Sequence, residues 1–290
     1  MHGARTRRFL VAAAWVFAVA LPLIGLASLL LRSRLDPHWE NHRVHFVLFL
    51  SVGAIDFALA AASGQAARRR GDARVLLISM AFLATGGFLA LHALGTPSVL
   101  FERDLTGFTV AIPVGLVIAA CFAAASAFVD ARPSLARGAI RHPQALQAVV
   151  VATMAAWFAY TVAELPPLDR PVAEGATSAL LKALAGIGMV LYAAAAVRYL
   201  SVYRAQRSLL TAAITGCFVL LAEAMIGVLA TGERAWHASW WEWHGLIVLG
   251  FLLVALAARR EWHDERFRAL YLPTTRERSE EVSVLFSDPS

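Results

Sequence analysis

Residues 75–95 read VLLISMAFLATGGFLALHALG. These 21 consecutive positions hold no Asp, Glu, Lys or Arg, and His92 is their single titratable side chain. A helix needs about 20 apolar residues to cross a bilayer, so this stretch is long enough to span and too apolar to face water. Arg68, Arg69, Arg70 and Arg74 stand on one side of it, and Glu102 and Asp104 on the other. Basic residues are retained on the cytoplasmic side, so the stretch also carries a direction.

The same reading repeats along the chain. Apolar runs fall at 9–31, 44–63, 75–95, 107–129, 146–164, 177–197, 208–230 and 241–258. The expected fold is all-α: a polytopic membrane bundle of eight transmembrane helices over 1–258. A short cytoplasmic tail follows over 259–290. Composition agrees, with 59% hydrophobic and 16% charged residues in 290, where a soluble chain carries roughly a quarter charged. The formal charge of +6 comes almost wholly from Arg, Lys182 being the only Lys. It sits in loops beside spans and reads as topology, not as a nucleic-acid surface. Cys121 and Cys217 both lie in apolar runs, which supports neither a disulfide framework nor a thiolate zinc site.

The loops alternate. One side holds Arg68–Arg70 and Arg74, then Arg132, Arg137 and Arg141, then Arg198, Arg204 and Arg207, with Arg259 and Arg260 in the tail. The other holds Asp36 and Glu40; Glu102 and Asp104; Glu164, Asp169 and Glu174; Glu233 and Glu242. Both termini are expected in the cytoplasm, in a multi-pass protein of the plasma (inner) membrane. The first run follows Arg5, Arg7 and Arg8 and is too long for a signal-peptide core, so it reads as a retained anchor. Trp39, Trp240, Trp241 and Trp243 mark the outer boundary as aromatic anchors. Gly186, Gly188 and Ala193–Ala196 permit close helix packing.

Six of the nine histidines gather at the outer face: His38, His42, His45, His92, His237 and His244. His38, His42 and His45 follow helical spacing. Trp39-Glu40-Asn41-His42 and Trp241-Glu242-Trp243-His244 share the pattern W-E-x-H at one depth. That hints at a repeat presenting matched ligands. Neutral imidazole binds zinc, copper, iron and haem iron, so His45, His92, His244 and His42 are the candidate ligands. Glu40, Glu242, Glu164 and Glu223 are candidate carboxylate partners. Asp56 and Glu223 lie within spans, where an ionisable group is costly and is either functional or paired. For them, pairing with each other or with Ser51 or Thr211 competes with a functional role. Anchoring competes with ligation for the histidines, above all for His38 and His237.

After the last span, Ala257–Leu272 reads as a helix leaving the membrane, ended by Pro273. Val282–Phe286 reads as a short strand. Glu280-Glu281-Val282-Ser283-Val284-Leu285-Phe286-Ser287-Asp288 resembles the first strand of the class III adenylate/guanylate cyclase catalytic domain. Tyr271-Leu272-Pro273 and Arg276-Glu277-Arg278-Ser279 are similar to that family's linker. The resemblance covers about twenty residues, and the expectation is a truncated cyclase-like domain of which only the first strand is present. It implies that Asp288 is a metal-binding Asp, that the chain pairs as a homodimer, and that no cyclase activity resides in these residues.

The function expected is a membrane sensory or anchoring module of a cyclase-type signalling protein, with a histidine site for a transition metal or haem near the outer face. An intramembrane metal-dependent hydrolase and a haem-carrying redox protein are the alternatives. A transporter using Asp56 and Glu223 is weaker, since paired Gly/Pro breaks are missing from the spans.

Overall fold

A computed structural model describes residues 17, 19–96, 99–101, 105–166, 168, 179–231 and 234–285, the side chains of 179, 180 and 262–285 excepted. The helices are α1 (Val19–Leu31), α2 (His42–Arg70), α3 (Ala73–Leu94), α4 (Thr106–Thr109), α5 (Ala111–Ala127), α6 (Pro133–Arg141), α7 (Pro143–Val162), α8 (Ala179–Gln206), α9 (Leu209–Thr231) and α10 (Ala238–Leu285). No strand occurs among the described residues; an isolated bridge joins His38 to His237. Six segments are long and apolar enough to cross a membrane: α2, α3, α7, α9, 181–206 of α8 and 238–261 of α10. The chain is thus an all-helical, membrane-type protein. Two of the eight expected spans, the first and the fourth, correspond to the shorter apolar helices α1 and α5. Residues 9–16 and 18 of the first expected span lie outside the described residues, as do Glu102, Asp104, Asp169, Glu174 and Glu233.

The α2–α3 hairpin is set by its own caps. Asn41 starts α2 by accepting from the Val44 N–H at 3.0 Å, and Asp72 starts α3 by accepting from Val75 at 3.1 Å. Between them Gly71, at φ 65°, takes the left-handed turn that ends α2. Gly53 and Gly86 then let the two backbones touch. A Cβ on Gly86 would stand 2.9 Å from the Asp56 Cβ and 3.0 Å from the Gly53 carbonyl oxygen. Antiparallel pairing at Gly53 and Gly86 makes His45 and His92 level neighbours.

α3 is the central helix, buried almost throughout and packed on α2, α5 and α7. α5 leans on α8, α8 on α9, and α9 on α10, which returns to α2. The α9–α10 approach is again tight. A Cβ on Gly227 would lie 2.4 Å from the Trp243 Cβ, and the Trp243 indole donates to Thr231 at 3.0 Å. Trp243 is 6% exposed and belongs to the core, contrary to its expected role as an anchor; Trp39, 51% exposed, fits that role. At the other end Glu261 accepts from the Leu210 N–H and the Ser208 hydroxyl, so α10 caps the start of α9.

The fourth expected span is broken at Val110, between α4 and α5. Pro113 supplies the reason. It has no N–H to give the Thr109 carbonyl, and its ring crowds that carbonyl. α10 behaves differently. Its backbone stays helical through Pro273 to Leu285, where the sequence predicted a stop and then a strand. One missing bond to the Ala269 carbonyl is tolerated in a segment rich in the helix formers Arg and Glu. Phe286 and Asp288 lie outside the described residues.

Candidate metal centre

Three helices converge on one point. His45, in the first turn of α2, His92, in the last turn of α3, and His244, in the second turn of α10, each offer a ring nitrogen within 4.8 Å of the others. His45 and His244 are buried and His92 is half-buried. The His45 and His92 Nε2 atoms are 3.1 Å apart.

The outward nitrogens decide which ring atoms face inward. His92 Nδ1 lies 2.9 Å from the Phe108 carbonyl oxygen, and His244 Nδ1 lies 2.7 Å from the Trp240 carbonyl oxygen. A carbonyl oxygen can only accept, so both Nδ1 atoms carry the proton and both Nε2 atoms keep a lone pair. His244 Nε2 is buried without a hydrogen-bond partner. His45 Nδ1 meets the Thr96 hydroxyl at 3.0 Å, a group able to donate or accept. In one arrangement His45 Nε2–H donates to His92 Nε2. In the other, His45 Nδ1–H donates to Thr96 and all three Nε2 atoms keep a lone pair available to a metal ion. The second is the usual dress of a metal-binding histidine, its far N–H held by a carbonyl or hydroxyl. Metal–nitrogen bonds of about 2.0–2.1 Å place coordinated nitrogens about 3.3–3.6 Å apart, so ligation would part His45 and His92 slightly from their 3.1 Å and draw any more distant nitrogen inward.

The break at Val110 makes one of these supports. With α4 interrupted, the Gly107 and Phe108 carbonyls have no partner in a continuous helix. Gly107 accepts from the Trp157 indole at 2.9 Å, and Phe108 accepts from His92. Aromatic rings wall the site. Trp240 stacks on His45 with centroids 5.4 Å apart, Trp243 stacks on His244 at 3.5 Å, and Phe49, Trp236 and Trp241 close the remaining sides of His45.

A clamp outside the spans fixes where α10 begins. Asp36, in the loop after α1, accepts from the Ser239 N–H at 2.7 Å, the Ser239 hydroxyl at 3.0 Å and Arg234 at 3.1 Å. The His237 ring donates to the Asp36 carbonyl, Ala238 N–H to Pro37, and Trp39 N–H to Trp236. Burial acts to raise the Asp36 pKa, but the Ser239 donors, Arg234 and His237 together hold it below the usual carboxylate value.

The other sequence candidates are elsewhere. His42 pairs with Glu40 at 2.7 Å and stacks near Trp236, so His45 takes the place that the W-E-x-H pattern assigned to His42. The two motifs do meet, but through Trp39 and Trp241. Among the described residues no carboxylate joins the three histidines. Glu223 lies close enough to Glu242 to interact, on the α9–α10 side, and all four of their oxygens are buried without hydrogen-bond partners. The Asp56 oxygens are likewise buried and unpartnered, so neither Asp56 nor Glu223 is paired with Ser51, Thr211 or the other. Glu164 caps the end of α7 at φ 49°, its N–H on the Thr161 carbonyl. His38 and His237 pack edge to face at 5.4 Å within the clamp. Asp288 lies outside the described residues. Sequence reading passed over Thr96, Asp36 and Pro113; of these Pro113, inside an apolar run, carried a local signal.

No protein-family model, curated protein or solved structure matches the chain.

Proposed function

We propose that this chain is a membrane sensory module that binds a transition metal through His45, His92 and His244 near the outer face and passes occupancy to a cytoplasmic, class III cyclase-type output. In this reading the bundle has eight spans, with α1 as the first and α4–α5 as the fourth, and both termini are cytoplasmic. The alternating Arg loops support that orientation. One observation carries the metal reading: three imidazole nitrogens from three helices lie within 4.8 Å, two of them oriented by backbone carbonyls.

Coupling follows from α10. His244 stands in its second turn, and the same helix continues to Leu285. At about 1.5 Å per residue that is roughly 60 Å of continuous helix between site and tail. Drawing His244 toward α2 and α3 shifts α10 as a rod, provided the metal binds the two packings with different affinity. The direct contact between His45 and His92 leaves no gap for a porphyrin, which weighs against haem. Among the described residues no carboxylate stands beside the three rings to act as a general base, which favours the sensory reading over a hydrolase.

Spin labels at Arg204 and the exposed Arg260, read by pulsed electron resonance with and without saturating metal, test the coupling. A metal-dependent change in the distance distribution, lost in His244→Ala, is expected. An identical distribution with metal bound refutes signal transfer through α10.

A further inference from the structure

The charge of the site narrows the metal further, an inference that rests on the metal reading above. All three ligands are neutral imidazoles, so a bound ion keeps its full charge. The electrostatic partners of the three rings among the described residues are one another and His42, with no carboxylate or thiolate in the set. The walls are Phe49, Trp236, Trp240, Trp241 and Trp243, which replace water by aromatic surface. The cost of desolvating an ion rises with the square of its charge, so a divalent ion costs about four times what a monovalent ion of like size costs here. The π faces soften the potential for either ion but supply no counter-charge. A divalent zinc site built on three histidines also keeps a fourth position for water or hydroxide. Three imidazoles complete a trigonal monovalent copper ion without one, and imidazole suits copper.

We propose that the His45–His92–His244 site selects monovalent copper over divalent zinc. Selection arises chiefly from the net charge of a neutral donor set walled by aromatic rings. It follows that one added negative charge next to the rings weakens the preference. Thr96 is the place to add it: it is 1% exposed and its hydroxyl touches His45 Nδ1. Thr96→Asp keeps an acceptor for His45 and gives the site a counter-charge.

The test uses the full chain in detergent under anaerobic conditions. Monovalent copper is supplied as its acetonitrile complex with ascorbate and zinc as the sulfate, each titrated against a chromophoric chelator of known affinity. Wild type is expected to bind copper at least 100-fold more tightly than zinc. In Thr96→Asp the copper-to-zinc affinity ratio falls at least 10-fold. An absorption edge typical of three-coordinate monovalent copper is expected in the copper-loaded protein. Zinc binding as tight as copper in wild type, or an unchanged ratio in Thr96→Asp that still binds either metal, overturns the charge argument and leaves the metal site standing. Binding of neither metal to wild type overturns both readings. A Thr96→Asp protein that fails to fold leaves the wild-type ratio and the absorption edge to decide.

Discussion

Replacing Asp36 by Ala removes the clamp that sets the start of α10. Three side-chain interactions disappear: the Ser239 N–H at 2.7 Å, the Ser239 hydroxyl at 3.0 Å and Arg234 at 3.1 Å. A buried N–H that loses a charged acceptor costs about 1.5–3 kcal/mol, and the hydroxyl about 1 kcal/mol. The Arg234 side chain is 42% exposed, so its ion pair adds at most about 1 kcal/mol after solvent screening. The sum is about 2.5–5 kcal/mol. Asp36→Asn keeps the acceptor for the Ser239 N–H and should lose about 1–2 kcal/mol. Thermal unfolding in detergent, followed by tryptophan fluorescence, reads the difference. The wild-type contribution also depends on pH. The folded carboxylate sits below its ordinary value, so its stabilisation is complete above the unfolded pKa of about 4 and is lost as pH falls through the depressed value. Asp36→Ala should show no such loss. Equal melting of wild type and Asp36→Ala at pH 7 refutes the clamp. Equal slopes with pH between 5 and 3 refute the carboxylate's part in it.

Three further outcomes follow. Pro113→Ala restores an N–H to the Thr109 carbonyl and lets α4 and α5 join; the Phe108 carbonyl then turns to Ile112, and metal affinity should drop about 10-fold with stability unchanged or raised. Equilibrium competition against a chelator checks it, and unaltered affinity counts against the break as a support for His92. Gly86→Val places side-chain atoms where even a Cβ would stand 2.9 Å from Asp56; overpacking should cost about 1–3 kcal/mol and carry His45 and His92 apart, read as lower melting and lost metal together. In His42→Ala, metal binding should stay within about two-fold of wild type, because that ring pairs with Glu40 outside the site; a ten-fold loss on titration makes His42 a ligand after all.

The membrane character of the chain was legible because hydropathy over 20-residue windows needs no tertiary contact. The meeting of His45, His92 and His244 was legible for a related reason. Alternating spans set the depth of each residue, and these three fall at one depth. Depth does not give azimuth. His42 and His45 share a helix face, about 60° apart, and the choice between them came from where Asn41 starts α2. Glu223 sits on the α9 face toward α10, an orientation that no single helix encodes. Asp36 looked like one more outer-loop acid, since its role depends on Ser239, about two hundred residues later in sequence. Pro113 showed itself in the sequence, but its consequence for His92 required the packing of α3 against α4. The tail was read from local β propensity, which the helix-forming run before it overrode.

Elemental analysis of the purified full chain, with X-ray absorption at the metal edge, addresses the histidine site most directly. Wild type and His42→Ala should each carry about one transition-metal ion per chain in an all-nitrogen imidazole shell, as a single three-histidine site requires. The His45→Ala, His92→Ala, His244→Ala triple variant should carry none while still inserting and folding. Metal-free wild type after loading, or equal metal in the triple variant, contradicts the site.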